Sequence, residues 1–383
     1  MNISVDILPI LDPQKTGVGW YTYNIIKYMA LNNDIKKYKF EFLGFDFLGR
    51  RNNTEVKELL KEWFPNSEYK IFKMMPYGIY RRIWDYIPFS YNYLFNSKSN
   101  LYNFFNFIVP QKINGYVINT VYDMVYKVYP NTMTKANYKR LDKELARSCE
   151  RADLIITISN NSKQEIINYL GISGDKIRIV PCGVDLNFYK PVYKNEILNK
   201  YNIQKPYFLY IGTLEPRKNI KNLILAFNDF LKKNNCNDVK LVIGGKKGWM
   251  YEEIFKTVQE LKLENDIIFL GYVPIEDMSA LYSNAVSFIF PSLYEGFGIP
   301  PLEAMACGCP VIVSNTSSLP EVVGDAGILI NPFDVEELSN AMYYVYCDND
   351  LRNELKKKSI IQAGKFSWEL AAQKIIDIYK EFE

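Results

Sequence analysis

Two glutamates with seven residues between them, Glu295 and Glu303, lie in the segment PSLYEGFGIPPLEAMACGCPVIVSN (291–315). Carboxylates accept paired hydrogen bonds from vicinal hydroxyls, the groups that sugars and riboses offer. Pro300 and Pro301 mark the first turn of a helix, where a missing N–H costs little, and Gly308 and Pro310 stop it. Ahead of that helix, Glu295-Gly296-Phe297-Gly298-Ile299 carries two glycines that let backbone N–H groups approach an anion closely. The helix dipole adds to the attraction. Glu295 falls in the loop and Glu303 on the helix, so the pair can address two parts of one ligand.

A second candidate is IGTLEPRKNI (211–220), a strand running into a helix with Arg217 and Lys218 side by side. Arg offers a planar fork and Lys a compact charge, a combination suited to a diphosphate leaving group. A third is T-G-V-G (16–19), whose Gly17 and Gly19 form only part of a dinucleotide-binding fingerprint. A fourth is Tyr122-Asp123 after the strand GYVINTV. Asp123 there is either a polar group facing a substrate or a strand-end turn residue. Tyr122 is a poor base near neutral pH, because a phenol ordinarily ionises near ~10.

The chain has 383 residues and no histidine. That excludes a Ser-His-Asp triad, a Cys-His dyad, His-ligated zinc and any imidazole base. The six cysteines (149, 182, 236, 307, 309, 347) include no C-x-x-C pair, and Cys307 and Cys309 flank a single glycine, a poor spacing for a metal. The N-terminus lacks the basic residues of a signal peptide, and no apolar run approaches the ~20 residues of a membrane helix. A cytosolic chain with reduced thiols is expected. Residues 1–190 hold 26 basic and 18 acidic side chains, the remainder 20 and 25, so +8 faces −5. The front half is thereby suited to something anionic, either a membrane surface or a phosphorylated substrate, or else it simply carries more solvated lysine.

Short β-branched runs alternate with helical patterns along the whole chain. NISVDIL, YKFEFLG, GYVINTV, LIITIS and IRIV punctuate the first half; YFLYIG, KLVIGG, IIFLG, VSFIF, PVIVSN and GILI the second. This rhythm predicts two Rossmann-like, doubly wound α/β domains facing a cleft, with ligands at the carboxyl ends of the strands. The connector from Asn187 to Gln204 marks the boundary, giving domains 1–187 and 205–365, followed by an amphipathic helix over 366–383. Residues 69–108 are rich in aromatics, among them Tyr77, Tyr80, Trp84, Tyr86, Phe89, Tyr91, Tyr93 and Phe95, with Arg81 and Arg82 between them. They suit either a membrane interface or a core helix pair with hydroxyls at its edge.

With these motifs in place, the chain resembles the retaining glycosyltransferases of family 4, which share the GT-B fold. The match is densest over 205–335 and thinnest over 45–110. The resemblance implies a hexosyltransferase in which Glu295 holds donor-sugar hydroxyls and Glu303 the ribose. Lys218 and Arg217 grip the donor diphosphate, and Gly17 and Gly19 close on it from the other domain. Gly296, Phe297, Gly298 and Ile299 supply amides, and Gly245 and Val273 line the base pocket through their backbone. Many members place Arg where this chain has Thr213, and His where it has Tyr122; Arg217 and Asp123 are the candidates to take over. No Asp-x-Asp triplet accompanies the motifs, in keeping with a metal-independent site. The last helix is expected to cross back onto the first domain.

The implied substrates are a nucleotide-sugar, GDP-mannose first and a UDP- or dTDP-sugar next, and a glycan or lipid-linked acceptor of a surface polysaccharide. No nucleic acid is implied. The setting is the cytoplasm, with contact to the inner membrane face through the N-terminal domain. Two other readings stay open on the sequence: a catalytically inactive nucleotide-sugar binding protein, and a nicotinamide-dependent dehydrogenase.

Overall fold

The computed structural model describes residues 1–383 except 50, 52, 85, 87, 88, 204, 205 and 235–237. Cys236 and the boundary residues Gln204 and Lys205 therefore lie outside the described residues. The chain forms two compact units. The first joins Met1–Val128, Met133–Cys182 and Trp368–Glu383; the second joins Tyr129–Thr132 and Gly183–Ser367.

The first unit is built on a parallel sheet of β1 (Asn2–Asp6), β2 (Lys39–Phe45), β3 (Glu68–Phe72), β4 (Leu101–Phe104), β5 (Tyr116–Thr120), β6 (Leu154–Thr157) and β7 (Ile177–Ile179). Its order is β3-β2-β1-β4-β5-β6-β7. Every pairing among these strands is parallel. Helices cover both faces of such a sheet, which is why β4 and β6 are buried throughout and read as continuous apolar runs. The aromatic segment 69–108 is not simply a helix pair. Strands β3 and β4 bracket two short helices, Tyr77–Ile83 and Tyr91–Phe95. Its aromatics divide by burial: Tyr80, Trp84, Tyr91 and Phe95 enter the core beside Phe45, while Tyr86, Phe89 and Tyr93 remain exposed. The helix Trp368–Lys380 is part of this unit. Its Tyr379 hydroxyl accepts from Asn103 Nδ2 at 2.7 Å, and Glu381 makes a two-pronged ion pair with Arg178.

The second unit carries β8 (Tyr207–Ile211), β9 (Lys240–Gly244), β10 (Ile267–Gly271), β11 (Ser287–Phe290), β12 (Val311–Ser314) and β13 (Gly327–Ile330). They are ordered β10-β9-β8-β11-β12-β13, again all parallel. Order reverses between β8 and β11, the switch point at which open α/β sheets leave a crevice at the strand carboxyl ends. Two helices do not follow from the sequence pattern. Asn195–Lys200 sits inside the connector, and Asn349–Ala363 begins at an N-cap, Asp348. The Asp348-Asn349-Asp350 triplet is thus a helix start, with the Asp348 carboxylate accepting from Leu351 N–H at 2.9 Å.

Candidate active site

The loop after β8 turns through a single 3-10 turn, Pro216–Lys218, before the helix Ile220–Asn234. Asn219 stands between them in the left-handed region at φ 57° and donates to Pro332 O at 2.7 Å. This break lets Arg217 and Lys218 turn back over the sheet instead of projecting along a helix. Lys218 is buried, and its ammonium lies 4.8 Å from the Phe290 ring at the end of β11.

Glu295 reaches the same point from the loop after β11. Its Oε1 accepts from Lys218 Nζ at 2.6 Å and Ser292 Oγ at 2.6 Å, with Arg217 Nη1 at 3.0 Å. All three contacts fall on one oxygen, so Oε2 is the edge left to accept from a further hydroxyl. Burial alone would raise the Glu295 carboxyl, but the Arg217 and Lys218 charges and these hydrogen bonds bring it down to about 2. Lys218 is moved down from its ordinary value, by burial first and then by Arg217.

A carboxylate that the sequence reasoning missed completes the cluster. Glu215, buried, pairs with Arg217 Nη2 at 2.6 Å, and Arg217 Nη1 also donates to Tyr294 O at 2.6 Å. The site therefore holds two cations and two carboxylates. The signal was an acidic residue two positions ahead of the basic pair in TLEPRKN.

The loop carrying Glu295 is held by the turn after β12, another contribution missed from sequence. Glu295 N–H donates to Ser317 Oγ at 2.9 Å, and Ser318 Oγ donates to the carbonyls of Glu295 and Phe297, each at 2.8 Å. Gly298 adopts φ 117°, and a Cβ there would lie 2.7 Å from Leu319 Cδ2. The helix Ile299–Ala306 follows with prolines in its first turn, as the pattern predicted. Phe297 packs its ring on Phe366, 5.6 Å between centroids, so only its backbone faces the loop.

Glu303, on that helix, accepts from the Tyr282 hydroxyl at 3.3 Å. Burial pushes its carboxyl up to about 7, against the pull of hydrogen bonds from Tyr189 and Tyr282. Thr213 and the two glycine loops meet at the ends of β8, β9 and β10. Gly212 N–H donates to Gly244 O at 2.9 Å and Gly245 N–H to Gly271 O at 2.7 Å. Gly245 has φ 148°, and a Cβ on it would sit 1.8 Å from Gly212 O, so no side chain fits. Val273 is buried against this turn.

The remaining candidates belong to the first unit. Gly17 opens the helix Gly17–Ala30, and a Cβ added to it would meet nothing within 4 Å, whereas a Cβ at Gly19 would lie 2.8 Å from Pro9 O. Asp123 is partly buried, and its Oδ1 accepts from Val125 N–H at 3.1 Å. The Tyr122 hydroxyl is buried and donates to Phe105 O at 2.9 Å; burial drives its ionisation well above the ordinary range. Tyr122 is a structural strut, not a proton carrier. Among the described residues no group of three or more Cys, Asp and Glu side chains is set to hold a metal ion, and no helix is long and apolar enough to cross a membrane.

Comparison with known proteins fits this geometry. The family described as glycosyl transferases group 1 matches residues 194–362, and glycosyltransferase family 4 matches residues 116–188. The O-antigen chain mannosyltransferase B of Escherichia coli is 33% identical over 391 residues, covering 99% of this chain and 100% of that protein. The chain belongs to the family 4 glycosyltransferases. As a glycosyltransferase it also shares its fold with solved GT-B structures. Sucrose-phosphate synthase from Thermosynechococcus elongatus aligns with a TM-score of 0.75 at 19% identity, covering 100% of this chain and 98% of that one. Anabaena HepE in complex with UDP-glucose aligns at 0.72 and 17% identity, covering both chains fully. Family membership removes the dehydrogenase reading.

Proposed function

We propose that this glycosyltransferase moves a mannosyl residue, with retention of anomeric configuration, from a nucleotide-sugar to a glycan or lipid-linked glycan acceptor of a surface polysaccharide. The observation that carries the reading is the Arg217–Lys218–Glu295 cluster at the carboxyl ends of β8 and β11. The second unit is the donor domain and the first the acceptor domain; the chain passes between them at Cys182–Gly183, a few residues ahead of the connector expected from Asn187. Mannose is favoured by the activity that gives the Escherichia coli relative its name. GDP-mannose is the donor tested first; the UDP-glucose bound to HepE keeps UDP-sugars in the panel.

Cleavage leaves a nucleoside diphosphate. Its oxygens displace Glu295 from Lys218 and Arg217, and preorganised cations in a buried site stabilise the developing charge without a metal. The amides of Gly296, Gly298 and Ile299 at the helix start add to this. Freed from the cations, Glu295 accepts from sugar hydroxyls, and Glu303 accepts from the ribose. With Ser292 on one oxygen and the sugar hydroxyls as its partners once the donor is bound, Glu295 is not assigned as the nucleophile of a double displacement. The acceptor hydroxyl attacks on the face the diphosphate leaves, and a departing phosphate oxygen takes its proton. Asp123 serves at the acceptor, and Gly17 and Gly19 at the donor diphosphate. Peripheral contact with the inner membrane face through the exposed Tyr86, Phe89 and Tyr93 completes the reading.

The test is thermal-shift binding against GDP-, UDP- and dTDP-sugars with NAD⁺ as control, followed by transfer with the donor that binds. A ligand that binds the folded state raises the melting temperature. A shift with one nucleotide-sugar, lost in Lys218→Ala, supports the reading. A shift with none, or donor binding without any transfer, overturns it.

A further inference from the structure

Glu215 makes no contact with substrate in the reaction proposed above, yet it is buried in the same cluster, two residues ahead of Arg217. Its stem is fixed from both sides. Leu214 N–H donates to Lys246 O at 2.9 Å and Gly248 N–H donates to Leu214 O at 3.0 Å, so the residue before Glu215 is bridged to the segment after β9. Gly248 permits this approach, because a Cβ on it would lie 2.8 Å from Leu214 O and 2.8 Å from Thr213 Cγ2. On the other side, Glu215 O accepts from Lys218 N–H at 3.1 Å, across the 3-10 turn that carries the basic pair.

The carboxylate on this stem sets the guanidinium. Glu215 Oε1 accepts from Arg217 Nη2 at 2.6 Å, and Tyr294 O accepts from Arg217 Nη1 at 2.6 Å. Nη1 also lies 3.0 Å from Glu295 Oε1. The backbone is tied to the same loop, with Leu293 N–H donating to Arg217 O at 2.9 Å. A guanidinium is a rigid plane, so acceptors on both terminal nitrogens fix its direction. Donor binding does not treat these acceptors alike. Glu295 gives way to the diphosphate, whereas Glu215 sits on a bridged backbone and keeps its place. Removing Glu215 would take the charged anchor from Nη2 at the step in which Glu295 releases Nη1.

We infer that Glu215 is a positioning residue for the donor diphosphate: it aims the Arg217 guanidinium and keeps it aimed once Glu295 has been displaced. The inference rests on the reading of Arg217 as a diphosphate ligand. Glu215 itself touches no reacting atom. Its charge alone would oppose the reaction, because a carboxylate in the cluster repels an incoming diphosphate. What it contributes is direction. A cation already pointed at the leaving group needs no reorganisation as negative charge develops there.

Two conservative variants of the full chain separate direction from charge. Glu215→Gln keeps the length and the acceptor oxygen but removes the charge; Glu215→Asp keeps the charge but draws the carboxylate back by one methylene. A positioning role predicts that kcat for transfer falls about 10–100-fold in Glu215→Asp and stays within about 5-fold of the parent in Glu215→Gln. A role in charge balance alone predicts the reverse order and overturns the inference. So does a lowered melting temperature with kcat per folded molecule unchanged, the mark of a merely structural role. In an Arg217→Ala background, Glu215→Asp should cost less than about 3-fold more, because residues that act as a unit are not additive. A full additive loss shows that Glu215 acts other than through Arg217 and overturns the inference. If Glu215→Asp does not fold, Gly248→Ala takes its place, since it displaces Leu214 and with it the Glu215 stem. It should lower kcat in the parent and not in the Arg217→Ala background; equal losses in the two overturn the inference. Calorimetric titration with GDP, UDP and dTDP needs no acceptor and should give a lower affinity in Glu215→Asp than in Glu215→Gln; the opposite order overturns it. A parent protein that binds one of these diphosphates and transfers no mannose sinks the proposed function and leaves the Glu215 result standing.

Discussion

Replacing Lys218 by Met tests the central ion cluster. Lys218 and Glu295 are both buried, with 2.6 Å between Nζ and Oε1. The drop of the Glu295 carboxyl from 4.5 to about 2 is equivalent to about 3 kcal/mol in favour of its charged form, after the cost of burial has been met. Arg217, at 3.0 Å from the same oxygen, supplies part of this, so Lys218→Met should destabilise the fold by about 2–4 kcal/mol. Glu295→Gln should cost a similar amount, because it leaves two adjacent buried cations with Glu215 alone. The double variant removes one charge of each sign, and it should be less destabilised than the sum of the singles by about 2 kcal/mol. Urea denaturation of the four proteins at pH 7 measures that coupling. The sign with pH follows from the lowered carboxyl. The stabilisation is complete above about 4.5 and is lost as pH falls toward 2, so the coupling should shrink at pH 3. A coupling under ~0.5 kcal/mol at pH 7 would refute the picture of a buried charge clamp. Transfer should be lost in both single variants.

The pH dependence of donor binding provides a separate check. With its carboxyl near 7, Glu303 is mostly protonated at pH 6 and mostly charged at pH 8. Donor affinity should rise about 10-fold across that range, and Glu303→Gln should flatten the profile. An equally steep profile in the variant would remove Glu303 from the ribose role. Asp6 makes the opposite statement about stability. A buried carboxyl raised from 3.8 to about 7 holds its proton in the folded state, so stability falls as pH rises between those values, by up to about 4 kcal/mol. Asp6→Asn should match the parent at pH 4 and exceed it at pH 8 in urea denaturation. Parallel stability curves would show that Asp6 is not buried in this way.

Much of this protein was legible along the chain. Alternation of short β-branched runs with helical segments is a local pattern, and it predicts parallel sheets because only strands covered on both faces are apolar throughout. The Gly-Phe-Gly-Ile-Pro-Pro run named its own helix start, since glycine and proline impose backbone conformations whatever the surroundings. The absence of histidine narrowed the chemistry before any contact was known. Other features depended on neighbours distant in sequence. Glu295 meets Lys218 across 77 positions, and it falls to about 2 only because two cations and Ser292 converge on one buried oxygen. Glu303, the same residue type eight positions on, goes to about 7 because burial acts on it with tyrosine hydroxyls alone for company. Tyr122 stands in a motif position yet spends its hydroxyl on Phe105. Residue type and spacing determined the backbone frame and the candidate groups, because propensity and periodicity are short-range. Charge state, pairing and role were decided by tertiary structure, because burial and electrostatics depend on what the fold brings close.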